Sequence, residues 1–468
     1  MAIDHERLDR VINPKSVAVV GDSQKNDFRW LNHMKTFKGK VYSVHINPET
    51  AKRIEEELKV PNFKSLKDIP DDIDYVIFNV PRKVAPSVLQ DAAEKEVGGV
   101  AMFTSGFAET DTEEGSSLQN AIIDIAKTNG LIVIGPNCMG VYNSKRGLRF
   151  LDHPVGNSKG ITLISQSGSI ASSFITAAEA RDIPLGKAVS FGNGVVLENP
   201  DYLEYFAQDK ETQFIAMYIE GVRDGKRFFD VLKKTTPIKP VLIWKSGLTD
   251  AGQRATASHT NSLAGSRSIW EAVCKQSGAI QVNSLEESMD ILTTLNTLDG
   301  FTGTKVGLAG GAGGQSVVMA DDFTNAGFEV PALTKESNEK LGSFFSLVGA
   351  AYPNPIDMGS NRKEIETVLE TLMEDNNIDF VTMQFSASKN IEDQERAEFS
   401  MQLLTEHRKR LQKPIASIVF SPDPNATEQN IIKDMLKKYQ IPSFPTYQRA
   451  SIALKKVSDY YKFHTKQG

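Results

Sequence analysis

SVAVVG (16–21) is a short apolar run rich in valine that stops at a glycine, and the polar stretch DSQKNDFRW (22–30) follows it. Such a run, closed by a turn residue, reads as a buried strand entering a loop. The device recurs at KVYSVHIN (40–47), YVIFNV (75–80), GVAMFTSGF (99–107) and LIVIGPN (131–137), with helix patterns between, clearest at 82–96 and 111–129. Strand–helix alternation at this spacing predicts a doubly wound parallel sheet. Ligands of such sheets bind at the carboxyl ends of the strands. Here those ends are Gly21-Asp22-Ser23, Asn47-Pro48, Val80-Pro81, Ser105-Gly106 and Gly135-Pro136-Asn137.

The pattern restarts twice. GITLIS (160–165) opens a second set, continued by KAVSFGN (187–193), FIAMYIEG (214–221) and KPVLIWKSG (239–247), with helices expected at 199–208, 225–235, 265–276 and 284–296. KVGLAGGAGG (305–314) opens a third, continued by DFVTMQFSA (379–387) and PIASIVFS (414–421), with helices expected at 315–326, 335–343 and 448–461. The expected fold is α/β, three doubly wound domains in series over 1–147, 148–299 and 300–468, joined near 146–159 and 297–304.

Composition narrows the function classes. The length of 468 residues fits about three domains at roughly 150 residues each. Fifty-three basic against 59 acidic residues give a net charge of -6, which offers no bulk attraction to nucleic acid or an anionic membrane. Two cysteines, Cys138 and Cys274, are too few for a disulfide framework or a cysteine-built metal cluster and suit a reducing compartment. The start MAIDHERLDRVINP has no apolar signal core, and no run approaches the ~20 apolar residues of a membrane span. The expectation is a soluble cytoplasmic protein.

Several constellations carry possible chemistry. The loop after residue 20 has one glycine, not the G-x-G-x-x-G fingerprint, and Asn47-Pro48 stand where an acidic ribose ligand would be, so a nicotinamide cofactor is disfavoured. An ordinary strand–helix turn and a backbone site for a nucleotide-like ligand both fit it. In SQSGSIASS (165–173), Ser165, Gln166, Ser167 and Gly168 stand between a strand and a small-residue helix; one Ser suffices for capping, and the excess favours an anion site. RATASHTNSLAG (254–265) reads as a loop holding His259 among small residues, where the imidazole is either a surface group or a nucleophile able to carry a phosphoryl group. Glu220, ending a strand, either orients that imidazole or caps its own turn and pairs with Arg223 or Lys226. GLAGGAGGQS (307–316) lacks the Lys-Ser/Thr of a Walker loop, which favours glycines used for close packing or partner contact. His45, His153, His407 and His464 have no carboxylate or histidine at metal-ligand spacing, so no metal site is expected on this chain.

Taken together, SGFAE (105–109), GPNCMGVYN (135–143), ITLISQSGSIA (161–171), DYLEYF (201–206), YIEGVRDGKRF (218–228), ASHTNSLAG (257–265), AGFEVPAL (326–333) and NPIDMGS (354–360) resemble the α subunits of ADP-forming acyl-CoA synthetases, of the succinyl-CoA synthetase superfamily. The resemblance implies a Rossmann-like CoA-binding domain followed by two flavodoxin-like ligase domains. It implies that a carboxylic acid, CoA and phosphate interconvert through an acyl phosphate, with the phosphoryl group carried on His259 and steadied by Glu220 and by the Ser165-Gln166-Ser167-Gly168 helix end. It implies that Gly21, Asp22, Ser23, Asn47, Pro48, Val80 and Pro81 face CoA, together with the other strand ends Ser105, Gly106 and Asn137. The nucleotide site of such enzymes is an ATP-grasp domain, for which three α-type units leave no room. The expected partner is therefore an ATP-grasp β subunit in an αβ or α2β2 assembly, holding the nucleotide and its Mg2+. The other reading is a non-catalytic protein that binds CoA or acyl-CoA on the same scaffold. The first loop departs from the family by being bulkier and glycine-poor, and Gly194-Val195-Val196-Leu197 stand where an acid usually follows Gly192-Asn193.

Overall fold

The computed structural model describes residues 4–152, 160–260 (backbone alone over 256–260), 266–345, 353–358, 364–388, 390–420 and 428–465. The chain divides into two compact units, 1–285 and 286–468.

The first unit holds two sheets. One is built from β1 (Ser16–Val20), β2 (Lys40–Val44), β3 (Asn62–Phe63), β4 (Tyr75–Phe78), β5 (Gly99–Met102) and β6 (Ile132–Ile134). All are parallel, in the order β3-β2-β1-β4-β5-β6. Every residue of β1, β4, β5 and β6 is buried, as the unbroken apolar runs require of strands covered on both faces. The order reverses between β1 and β4, so the loops leaving them part and open a crevice at Gly21 and Val80.

The second sheet comprises β7 (Gly140–Asn143), β8 (Gly160–Ser165), β9 (Leu185–Ser190), β10 (Thr212–Ile219), β11 (Val241–Lys245) and β12 (Ile280–Val282), ordered β12-β11-β10-β8-β9-β7. Only β7 runs antiparallel, against β9. Its five parallel strands have the flavodoxin order, reversing between β8 and β10.

The two sheets are sewn together. Asn143 donates its amide to Ile12 O at 2.9 Å and Asn13 Oδ1 at 3.0 Å, Val141 N donates to the Tyr75 hydroxyl, and the Tyr205 hydroxyl donates to Asp9 at 2.6 Å. On the ligand side, Asn193 N donates to Pro136 O and Val195 N to Gly135 O, while Val195 and Val196 pack on the core of the first sheet. Gly192 makes this approach possible. Its φ is +51°, and a Cβ there would lie 2.1 Å from Asn137 O.

The second unit carries β13 (Val306–Ala309), β14 (Phe380–Ser386), β15 (Ile415–Phe420) and β16 (Ser443–Phe444), parallel and in that order. Ile356 makes a parallel bridge to Ala309 on the free side of β13, which completes a flavodoxin-like order with its reversal at β13. Its glycine loop packs tightly at one end only. A Cβ on Gly310 would meet Gln384 O at 2.4 Å, whereas Gly313 and Gly314 face open space.

One local expectation fails. The segment read as a loop from residue 254 runs on as the end of a helix, Asp250–Thr260. Alanine, glutamine and arginine there outweigh Gly252 in helix propensity.

Replacing Gly192 by Ala is expected to lower stability in urea unfolding by about 2 kcal/mol or more, because both the positive φ and the close carbonyl oppose a side chain. Gly225→Ala, at a helix start with open space around it, is expected to stay within about 1 kcal/mol of the parent, on the stabilising side.

Candidate functional site

The reversal between β8 and β10 sends their following loops apart, and the side chains there converge. After β8, Ser165 Oγ donates to Ser167 O at 2.8 Å and accepts from Ser167 N, which closes the turn. Ser167 then caps the helix Gly168–Glu179 by accepting from Ile170 N at 3.4 Å, and shares a hydrogen bond with Ser169. The N–H groups of Gly168 and Ser169 have no acceptor among the described residues, so the positive end of this helix stays open to an anion. Gln166 ties the two loops together: its carbonyl oxygen accepts from Glu220 N and, at 2.9 Å, from Gly221 N. Ser165, Gln166, Ser167 and Glu220 are all buried.

Lys245, which the sequence reading passed over, ends β11 beside this cluster. It is 5 % exposed; its ammonium donates to Glu220 O at 2.9 Å and to Ser246 O, and lies 5.5 Å from the centre of the Trp270 ring. Burial pulls its pKa down to about 8, against the pull of the Glu220 carboxylate. The Tyr218 phenol lies within hydrogen-bonding reach of Ser246 and Glu220, and burial pushes its pKa up.

Glu198 is the second missed residue. Its carboxylate accepts from Arg223 N at 3.1 Å and Asp224 N at 3.4 Å and lies 3.6 Å from the Arg223 guanidinium. Arg223 thus pairs with Glu198, against the alternative reading in which it pairs with Glu220. Asp201 holds Glu198 by accepting its backbone N–H at 2.7 Å and is itself bridged by Arg227. His259 lies in the helix Asp250–Thr260, and its side chain lies outside the described residues.

The strand ends of the first sheet form the neighbouring edge. Gly21 has a φ of +84°, and a Cβ there would sit 2.6 Å from Asn79 O, so β1 and β4 are held close at the crevice. Asp22 turns inward: it is 1 % exposed and accepts from Leu31 N at 2.9 Å and from Ser23 N, with the Asn79 side chain also in hydrogen-bonding reach, so it fixes the following short helix. Burial raises its pKa, opposed by those hydrogen bonds. Ser23 is half-buried at the turn. Asn47 caps the helix Pro48–Arg53 by accepting from Thr50 N, with Pro48 in its first turn. Val80 is buried, while Pro81 and Ser105 are exposed. Gly106 donates its N–H to Glu109 at 2.6 Å and accepts from Arg82 at 2.7 Å. Glu109 also accepts from Asn193 at 2.7 Å, and Asn137 reaches Asn193 at 3.5 Å. Gly106 and Asn137 are therefore joined to the second sheet's loops through Glu109 and Asn193. Among the described residues no group of three His, Cys, Asp or Glu side chains is placed to hold a metal ion, and no helix is long and apolar enough to cross a membrane.

A Rossmann-ordered sheet and a flavodoxin-ordered sheet, sewn at their ligand edges with an open helix N-terminus between, define an α/β ligase scaffold. Residues 15–144 match the CoA binding domain family, and residues 158–295 match the succinyl-CoA ligase like flavodoxin domain family. The chain is 36% identical, over 80% of its length and 81% of the relative's, to the acetate–CoA ligase [ADP-forming] II subunit alpha of Pyrococcus furiosus. It is also 36% identical to the acetate–CoA ligase [ADP-forming] of Methanocaldococcus jannaschii, of which it spans 49%. Among solved structures it resembles the dinucleotide-forming acetyl-coenzyme A synthetase 1 of Ca. Korarchaeum cryptofilum in complex with phosphate and ADP. That match has a TM-score of 0.83 and 26% identity and covers 98% of this chain and 97% of the other. The chain belongs to the family of ADP-forming acetate–CoA ligase α subunits, within the succinyl-CoA ligase-like proteins.

The buried Lys245 sets a pH signature. Its folded pKa lies below the ordinary lysine value of 10.5, so between about 8 and 10.5 the unfolded chain holds more protons than the folded one. Its contribution therefore makes stability rise with pH across that window. Lys245→Met is expected to remove that rise, seen as a flatter dependence of the urea midpoint on pH from 8 to 10 than in the parent.

Proposed function

We propose that this chain is the α subunit of an acyl-CoA synthetase (NDP-forming), and that it houses the acyl, CoA and phosphohistidine chemistry. The observation that carries the reading is the buried bridge from Gln166 to the backbone of Glu220 and Gly221, which holds the open helix end at Ser167-Gly168 beside a buried carboxylate. That pairing suits a phosphoryl group in transit: N–H groups receive its oxygens, and the carboxylate steadies an imidazolium.

In the direction that consumes acyl-CoA, a phosphate oxygen attacks the thioester carbonyl. The C–S bond breaks, CoA leaves as thiolate and takes a proton, and an acyl phosphate remains. An imidazole nitrogen of His259 then attacks phosphorus, and the P–O bond to the acyl group breaks, releasing the carboxylate. Glu220 accepts the N–H of the other ring nitrogen and offsets the charge on the phosphorylated ring. The Ser165-Gln166-Ser167-Gly168 turn receives the phosphoryl oxygens. CoA lies along the carboxyl edge of the first sheet, against Gly21, Ser23, Asn47, Pro48, Val80, Pro81, Ser105 and Gly106, while Asp22 positions the loop from inside. In this reading residues 1–147 bind CoA, 148–299 carry the phosphohistidine, and 300–468 form the second ligase domain.

ADP, with its Mg2+, is then phosphorylated on an ATP-grasp β subunit, as αβ or α2β2. The M. jannaschii relative, of which this chain spans 49%, supports a further portion supplied by a partner. The setting is cytoplasmic, where acyl-CoA and nucleotide pools meet.

The test is incubation of the full chain with acetyl-CoA and radiolabelled phosphate. Acid-labile, base-stable label is expected on the parent, none on His259→Ala, and at least tenfold less on Glu220→Gln. Equal label on His259→Ala would overturn the assignment.

A further inference from the structure

The residues that follow β10 are gripped at each backbone group, and one of the grips carries a charge that none of the chemistry above has used. Ile219 O accepts from Ser246 N at 3.0 Å, Glu220 O from the Lys245 ammonium at 2.9 Å, and Gly221 O from the Asn199 amide at 3.1 Å. The N–H groups of Glu220 and Gly221 both go to the side-chain oxygen of Gln166. The C=O of Glu220 and the N–H of Gly221 belong to one peptide group. Lys245 therefore holds the oxygen of the very peptide whose N–H holds Gln166.

A peptide group passes such a charge on. A cation on its oxygen draws electron density from its nitrogen and makes the N–H a stronger donor, so bonds in a chain reinforce one another. The chain here runs from Lys245 Nζ through the Glu220–Gly221 peptide to Gln166 Oε1, and Gln166 sits in the turn Ser165–Gly168. Lys245, Glu220, Gln166 and Asn199 are all buried, where such polarisation is least screened by water. The ammonium is costly to bury, and its setting does little to offset the cost. Ser246 and Glu220 offer it backbone carbonyls, and Trp270 of the helix Arg267–Ser277 offers a ring face. β12, the outer neighbour of β11, carries only Ile280, Gln281 and Val282. Among the described residues the one charged group acting on it is the Glu220 carboxylate on β10, with the Tyr218 phenol beside that carboxylate. A lysine kept at this cost, with carbonyls where a carboxylate could stand, points to a use for its charge.

We propose that Lys245 is a positioning residue for phosphoryl transfer: its ammonium, acting through the Glu220–Gly221 peptide, tightens the hold on Gln166 and so fixes the turn that receives the phosphoryl oxygens, and the hold slackens when the ammonium loses its proton. This rests on the proposed function for the reaction, while the coupling of Lys245 to Gln166 is measurable without turnover. The pKa of about 8 places the loss of that proton at mildly alkaline pH. Stability and phosphoryl transfer then respond in opposite senses. Discharging a buried ammonium favours the folded chain, as derived above, and at the same time weakens the grip on Gln166.

The test times labelling of the full chain by acetyl-CoA and radiolabelled phosphate across this range. Between about pH 7.5 and about pH 9.5 the parent is expected to lose about tenfold in initial rate while its urea midpoint rises. A lysine that only supported the fold would move the two together. Lys245→Arg, charged throughout, is expected to label more slowly than the parent but to stay within about twofold of its own rate over the same range. Lys245→Met is expected to label about tenfold less than the parent at the lower pH, with CoA binding by calorimetry unchanged. Without turnover, Gln166→Leu is placed in the parent and in Lys245→Met at neutral pH. Its shift of the urea midpoint is expected to be smaller by about a third or more in the Lys245→Met background, because the donors it strands are no longer polarised. Equal shifts in the two backgrounds, or an alkaline fall in Lys245→Arg as steep as the parent's, overturn the proposal. No labelling of the parent by any acyl-CoA, with the unequal shifts present, defeats the proposed function and keeps the coupling.

Discussion

The bridge from Gln166 to the backbone of Glu220 and Gly221 is the interaction on which the rest of the site depends. Two loops that leave adjacent strands in opposite directions have no reason of their own to stay in register. A single buried amide oxygen that accepts two N–H groups gives them one. The arrangement also solves a local problem, because N–H groups at a buried strand end must find acceptors. Loss of that oxygen leaves two buried donors unsatisfied, at a cost of about 1–3 kcal/mol each, and frees Glu220 from the helix end at Ser167. Stability and site geometry are thus fixed by the same atom.

The second constraint is the seam between the sheets of the first unit. A ligand edge built from two sheets works only if neither sheet drifts against the other. The seam prevents drift by backbone contacts, Asn193 to Pro136 and Val195 to Gly135, with Gly192 pressed onto Asn137. Replacement of the family's usual acid after Gly192-Asn193 by Gly194-Val195-Val196 makes sense here. Two valines add apolar contact to the core of the first sheet where a carboxylate would have had to be solvated or paired. Neighbouring carboxylates do persist, Glu109 and Glu198, because each receives N–H groups that fix a loop.

Much of this was legible in the sequence because buried parallel strands are written as unbroken apolar runs. β1, β4, β5, β8 and β14 stand where those runs predict them. The reading failed where the signal is weak for physical reasons. β12 and β16 are edge strands of two or three residues, too short for any period to show. The helix Ile391–Leu411 buries only Ser400, Met401, Leu404 and His407 among many charges, so its apolar stripe is thin. β7 sits beside the predicted strand LIVIGPN but joins the other sheet, and only tertiary pairing decides that. The cluster of Ser165-Gln166-Ser167 with Glu220 was legible because a motif and a strand end coincide, and the structure brings them together. Glu198 and Lys245 gave no such signal because their partners, Arg223 and Glu220, are distant in sequence. Asp22 is buried and holds the backbone of Leu31, a role the sequence could not show, because a polar residue after a glycine turn looks the same whether it faces ligand or fixes a helix.

The helix Asp250–Thr260 reconciles the expectation of a loop with what is observed. None of its residues from Asp250 to Ala255 is buried, and Gly252 lies within it. A helix of about this length is marginal in water without an apolar face to dock. The stretch from Asp250 to Ala255 therefore rests on little tertiary energy compared with a helix such as Asn199–Gln208, most of which is buried. On the function proposed above, a carrier that must leave one site for another gains from this. The Ser165–Gly168 turn, by contrast, is locked by Gln166 and by Ser167 at the helix cap, while no side chain from Asp250 to Ala255 is buried. The division proposed here, between a fixed receptor and a carrier able to leave it, rests on that difference in burial.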